Sequence, residues 1–312
     1  MSLLLFLAAL PALYWAQPPE TAPALKAAGL TRLRVAPETA AAWRAAGFAA
    51  LPLAESELKE RTKLVPPGLR SRADLASATV RPWVFANGWR FLRTPGGRFW
   101  GEVPAGRAPL AAAEAFAYGA DAVLSIDPAG LSAFGEMLAF LSSVPESDLK
   151  ASADVAVVDD GSPPLGEILN LMARRNLLFE VVRGEARSVA LTVRVGSKEF
   201  PRDAARDPEA FALSVRRRLT DERRSVRLFG SEVDLVRLAR DAAHARLHLL
   251  NYGTRPVDGL RVRLLGRWAP GEALVFGHGR VPVEDVRVDE GATEFSLPAL
   301  GPYAVLDLAA AD

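Results

Sequence analysis

Apolar positions along the chain change their period once, and that change divides it. From Thr31 to Leu219 short apolar runs alternate with stretches whose apolar residues recur at spacings of three and four. From Arg224 onward they recur at every second position. Thr31 to Ala36 predicts a strand. Pro37 and Glu38 open a helix, with proline in the first turn and an acid near the positive end. Gly47 closes that helix, and Phe48 to Leu53 predicts the next strand, so this stretch is a compact βαβ candidate. In RPWVFANGWRFLRTPGGRFWGEV, Asn87-Gly88 between two aromatic runs predicts a hairpin, and Pro95-Gly96-Gly97 a second turn, giving three strands in a meander.

Pro109 to Gly119 then predicts a helix and Asp121 to Asp127 a strand. A further helix carries Leu131, Phe134, Gly135, Leu138 and Leu141 on one face, and Val144-Pro145 ends it. Ala153 to Val182 predicts a second βαβ unit, with apolar strands at Val155–Val158 and Leu177–Val182. Its crossover implies a parallel sheet covered on both faces. Ser188 to Val195 predicts another strand, and Asp207-Pro208-Glu209 starts a helix buried through Phe211, Val215 and Leu219. The tail, with turn residues at Asn251-Tyr252-Gly253, Pro270-Gly271 and Gly301-Pro302, predicts an antiparallel sandwich.

The expected fold is therefore α/β followed by all-β: a partial (β/α) barrel-like unit over 17–147, a flavodoxin-like parallel unit over 148–224 and a β-sandwich over 225–312. Residues 1–16 are apolar before an abrupt turn to Gln17-Pro18-Pro19-Glu20. That length suits the core of a signal peptide, so an exported protein is expected, with the cut after Ala16. No later segment is long and apolar enough to span a membrane. The 312 residues carry a net charge of +1, which offers no electrostatic case for nucleic acid. Cysteine is absent, so disulfides, thiolate nucleophiles and Cys-ligated zinc are excluded.

Three stretches resemble the rear of the barrel-type β-galactosidases, in which a catalytic barrel precedes a glutamine-amidotransferase-like domain and a small β domain. AAAEAFAYGADAVLSID resembles a last barrel strand with its flanking helix. ADVAVVDDGSPPLGEILNLMARRNLLFEVV resembles the start of the amidotransferase-like domain, without its nucleophilic cysteine. ARLHLLNYGTRPVDGLRVRLLG with ATEFSLPALGPYAVLDL resembles the terminal β domain. The resemblance implies a glycosidase-like protein, and in that family the amidotransferase-like domain mediates oligomer contacts, so a homo-oligomer is one expectation. A full barrel takes at least about 200 residues, more than precede Pro145. No stretch matches the family's catalytic strands, so a non-catalytic, carbohydrate-binding or accessory role is expected, with an active hydrolase on a reduced barrel and a structural oligomerisation module as the alternatives.

Candidate chemistry follows from position. Asp127 ends a predicted strand, where α/β folds place active groups, and Glu102 or Glu114 is its candidate partner in a carboxyl pair. Capping of the helix begun by Pro128 is the competing role for Asp127. Asp159 and Asp160 end a parallel strand, the usual ligand position in open α/β sheets. Trp83, Trp89 and Trp100, with Asn87 and Arg90, combine flat apolar rings and polar groups suited to a sugar, although such aromatics also fill cores. His244 and His248 are four apart but in a predicted strand rather than a helix, HARLH is not HExxH and no third ligand is evident, and no phosphate-binding glycine motif occurs, so no metal or cofactor is expected.

Overall fold

A computed structural model of the chain describes residues 10–70, 83–184 and 189–311. They form two compact units. One holds the described residues up to Gly68 together with Phe85–Asn87 and Thr94–Asp148. The other holds Leu69–Arg70, Trp83–Val84, Gly88–Arg93 and the described residues from Leu149 onward.

The first unit is built from β1 (Ala12–Leu13), α1 (Ala22–Ala27), β2 (Arg32–Val35), α2 (Ala40–Ala45), β3 (Ala49–Pro52), α3 (Glu55–Lys59) and β4 (Thr62–Lys63). Next along the chain come the short strands β5 (Gly68–Arg70) and β6 (Trp83–Phe85) and the helix α4 (Gly88–Arg93), which belong mostly to the second unit. The first unit resumes with β7 (Arg98–Val103), α5 (Ala108–Ala117), β8 (Asp121–Ile126) and α6 (Leu131–Ser143). Its ladders are all parallel: β2 with β3, β1 with β8, β8 with β7 and β7 with β4. A parallel bridge from Tyr14 to Arg34, with the Trp15 N–H donating to the Arg34 carbonyl, joins β1 to β2. The lateral order is thus β3-β2-β1-β8-β7-β4. The first strand lies beside the last of the unit, so the sheet curls as a barrel does, with six staves and an opening between β3 and β4 among the described residues.

A Cβ at Gly135 of α6 would stand 1.9 Å from the Ala28 carbonyl oxygen, so only glycine lets α6 meet the end of α1. Along the strands, Leu13, Trp15, Leu33, Val35, Ala50, Phe99, Val103, Leu124 and Ile126 are buried. The alternate positions line the concave face, where Ala12, Tyr14, Leu53, Leu58, Trp100 and Val123 form a small apolar cluster.

The expected hairpin at Asn87-Gly88 does not form. Gly88 begins α4, and β7 pairs in parallel with β4 and β8. The cause is tertiary. Asn87 donates from its side chain to the Val65 carbonyl (2.9 Å) and accepts from the Val65 N–H (3.1 Å), while its backbone N–H and side chain donate to Glu114. These bonds hold the residue outside a two-residue turn. The leader expectation also changes. Its first nine residues lie outside the described ones, but Ala12 to Trp15 are a stave of the barrel, and a cut after Ala16 would remove that stave.

The second unit contains β9 (Val155–Val158), α7 (Pro163–Arg174), β10 (Phe179–Val182), β11 (Leu191–Val193) and α8 (Pro208–Leu219). Its sandwich strands are β12 (Val226–Phe229), β13 (Asp234–Arg240), β14 (His244–Asn251), β15 (Val257–Leu265), β16 (Trp268–Val275), β17 (Gly279–Pro282), β18 (Glu284–Asp289), β19 (Ala292–Leu300) and β20 (Tyr303–Ala310). The parallel sheet β10-β9-β11 packs on α7 and α8 through Val155, Val157, Ile168, Leu169, Phe211 and Val215. α4 adds Trp89 and Leu92 to that core. The antiparallel sheets β12-β15-β19-β18 and β13-β14-β20-β16-β17 enclose a core that includes Leu247, Leu249, Val262, Phe295 and Leu306. The outer edge of β13 is covered. Lys150 and Ser152 bond to Arg240 and Leu238, and the Asn176 side chain donates to the Asp234 carbonyl (2.9 Å) and accepts from the Val236 N–H (2.8 Å). Asn176 reaches that edge from a left-handed position (φ 52°) just past α7.

Candidate functional site

Register places two rows of side chains across the concave face of the barrel unit. Lys63, Trp100, Val123 and Ala12 share the lower row. Glu102 and Ser125, with Tyr14, Arg34 and Leu51, share the upper one, nearer the strands' carboxyl ends. Leu51 is 52% exposed although Ala50 beside it on the convex side is buried, as expected where the barrel stands open.

Lys63 organises the centre of this face. Its ammonium lies 4.9 Å from the Trp100 ring centroid and 3.3 Å from Glu102 Oε2. Lys63 and Glu102 are largely exposed, while Trp100 is half-buried. Tyr14 is 8% exposed, and its hydroxyl has no hydrogen-bond partner among the described residues. Burial, with Glu55 and Glu38 nearby, holds that hydroxyl above its ordinary pKa, so it stays a donor. Glu55 opens α3 and pairs with Lys59 at 2.6 Å, which lowers its carboxyl below the ordinary range. Glu38 follows β2 and Glu55 follows β3, so both belong to the loops at the carboxyl ends of the strands, where barrel folds build their sites. Sequence reasoning passed over them, although an acid just past a predicted strand was the available signal.

The acids singled out from sequence each have partners of their own. Asp127 caps the turn begun by Pro128, accepting from the Ala129 N–H at 2.9 Å. Glu102 is held by Lys63. Glu114 is buried on α5 with both oxygens engaged by Asn87, and these bonds anchor the segment that leads into α4.

Asp159 and Asp160 stand at the carboxyl end of β9 as expected, but self-contacts occupy them. Asp159 accepts from Arg93 Nε (3.2 Å) and Nη2 (2.9 Å) and from the Gly161 N–H (2.9 Å). Asp160 accepts from the Ser162 N–H (2.9 Å). Arg93 also donates to the Ser162 carbonyl, at the N-terminus of α7, where a ligand was expected. The aromatic group is likewise divided. Trp83, stacked by Arg174 at 3.8 Å, and Trp89, stacked by Arg90 at 4.3 Å, pack on the parallel-sheet core of the second unit. Trp100 belongs to the barrel face. His248 is buried with Nδ1 2.7 Å from the Tyr303 hydroxyl, and burial with the charges of Arg237 and Arg246 pushes it down to about 3, so it is neutral. No group of three metal-ligating side chains exists among the described residues.

No family model matches the chain, and no curated protein matches it. Among solved structures it is similar to alpha-L-fucosidase isoenzyme 2 from Paenibacillus thiaminolyticus, with a TM-score of 0.53 and 11% identity over 88% of this chain and 70% of that one. A GH42 beta-galactosidase from G. stearothermophilus aligns with a TM-score of 0.36 and 8% identity over 96% of this chain and 59% of that one. The first of these likenesses carries the conclusion, which concerns fold alone: a glycosidase-like arrangement of parallel α/β structure followed by antiparallel sheets. No helix among the described residues is long and apolar enough to cross a membrane.

Proposed function

We propose that this glycosidase-like chain is an exported protein that binds carbohydrate on the concave barrel face without cleaving it. The observation that carries the reading is Trp100, with Lys63 over its ring, Glu102 on Lys63 and the unpartnered Tyr14 hydroxyl on the same face. A half-buried ring offers a flat apolar surface to the C–H face of a sugar, and flanking donors and acceptors take its hydroxyls. The non-catalytic part rests on the acids: Asp127 caps a helix, Glu102 holds a lysine and Glu114 is buried.

A glycan array followed by calorimetry on the full chain tests the binding. Trp100→Ala is expected to weaken binding about tenfold, the equivalent of one stacking contact, with an unchanged circular-dichroism spectrum. A folded protein that binds no glycan removes the proposal. The domain boundaries at 147/148 and 224/225 remain part of it. For export, β1 must be retained, so mass spectrometry of the exported protein is expected to find an N-terminus ahead of Ala12; one at Gln17 would refute the six-stave barrel.

A second reading, an active hydrolase, draws on Glu38 and Glu55, which both act on the Tyr14 hydroxyl. Turnover of aryl glycosides by the wild type, lost in both Glu38→Gln and Glu55→Gln, would establish it over simple binding.

A further inference from the structure

Asp234 begins β13 and lies directly opposite Asn251 of β14. It shares the face of Val236 and Leu238, which belong to the sandwich core, so its side chain points inward at one end of that core. The residue is 1% exposed, and neither carboxylate oxygen has a partner in full hydrogen-bond geometry among the described residues, although the Ser231 hydroxyl lies beside it. No cationic side chain among the described residues pairs with it, whereas the other buried acid of this unit, Asp154, is bonded by the Ser225 N–H and hydroxyl. A carboxylate stripped of water and left without partners costs several kcal/mol. A proton would mask the charge and bond through one oxygen only; a cation satisfies both oxygens together.

Neutral oxygens lie on the segments beside it: Ser231 next to the carboxylate, and Asn251 opposite it in the ladder. Asn251 is buried, and its amide is fixed by donation to the Arg255 carbonyl (2.8 Å) and acceptance from the Gly253 N–H (2.7 Å). A Cβ at Gly253 would stand 2.8 Å from Asn251 Oδ1, so the turn is closed tightly around that amide. The Ser231 hydroxyl, three residues before Asp234, accepts from the Val233 N–H (3.2 Å) and keeps a lone pair.

We propose that Asp234 is the anionic ligand of a buried calcium site at the end of the β-sandwich, completed by neutral oxygens of the Ser231–Asp234 and Asn251–Arg255 segments. All-oxygen donors without histidine or cysteine select a hard cation over zinc or copper. A single carboxylate sets a weak affinity, of roughly 10⁻⁴–10⁻³ M, the range of extracellular calcium modules.

The test is calorimetry and thermal melting of the full chain after chelator treatment, with calcium chloride as the probe and magnesium chloride as the comparison. One calcium per chain, a melting temperature raised by a few degrees at 10-fold excess over the dissociation constant, and loss of both effects in Asp234→Asn are the expected results. A wild-type chain that shows neither effect, or an Asp234→Asn chain that shows both undiminished, overturns the site. Where Asp234→Asn does not fold, Ser231→Ala decides: weakened calcium binding supports the site, and unaltered binding overturns it.

Discussion

Arg93 shows how far a residue's role depends on its partner. From sequence it was one cation in an aromatic run, and Asp159 was a free acid at a strand end. In the fold they meet across 66 positions, with guanidinium and carboxylate about four-fifths buried. Burial raises the Asp159 carboxyl, but the Arg93 hydrogen bonds, the Gly161 N–H and the Arg93 and Arg183 charges outweigh it, and the net shift is downward. A carboxyl lower in the folded state than in the unfolded chain stabilises above the unfolded value, near pH 4, and loses that contribution as pH falls through the folded value. Arg93→Ala is therefore expected to lower stability at pH 7 by about 1–2 kcal/mol and to flatten the acid side of a stability–pH profile. Denaturant titrations of both proteins between pH 2 and 7 measure it; parallel profiles would show that the pair contributes nothing. The place of Asp159 at the end of β9 was legible because apolar runs announce strands. Its partner was not, because nothing local in the sequence encodes a contact between α4 and the β9–α7 loop.

Elements were legible where their own period decided them. α6, with Gly135 on its buried face, could be read from spacings of three and four. α4 could not, because Asn87-Gly88 is locally a turn and becomes a helix start only through Val65 and Glu114. Periodicity also leaves a glycine's necessity unstated: Gly135 looks like a weak point in α6 until the Ala28 carbonyl is found against it. Gly135→Ala improves helix propensity yet puts a methyl at 1.9 Å from that oxygen. The expected outcome is a loss of about 1–3 kcal/mol, measured as a lower melting temperature, since α6 and the end of α1 must separate. A stabilised variant would show that α6 and the end of α1 are not held together in solution. Asn176 is the counterpart in the second unit: its left-handed backbone and its amide, rather than any strand pattern, cover the edge of β13.

At the scale of the molecule, the order of α/β structure followed by a sandwich was legible, because the apolar period itself switches. The cyclic order of the six staves was not, since register and the Tyr14–Arg34 bridge have no signature in a single sequence. Nor was the way the two compact units share the chain. Gly88–Arg93 belongs to the second unit although it lies between pieces of the first. Trp89 and Leu92 pack on the core around Ile168 and Leu169, and a Cβ at Gly166 would stand 3.3 Å from the Trp89 ring. A fragment cut at the apparent boundary, Leu149 to Asp312, therefore lacks part of its own core and loses the Arg93 bonds to Asp159 and Ser162. It is expected to melt below the second unit of the full chain and to bind a hydrophobic dye, because the α7 face that α4 covers is left bare. Calorimetry of the fragment beside the full chain decides the point. An equally stable, dye-silent fragment would mean that α4 is a passenger on the second unit rather than a component of it.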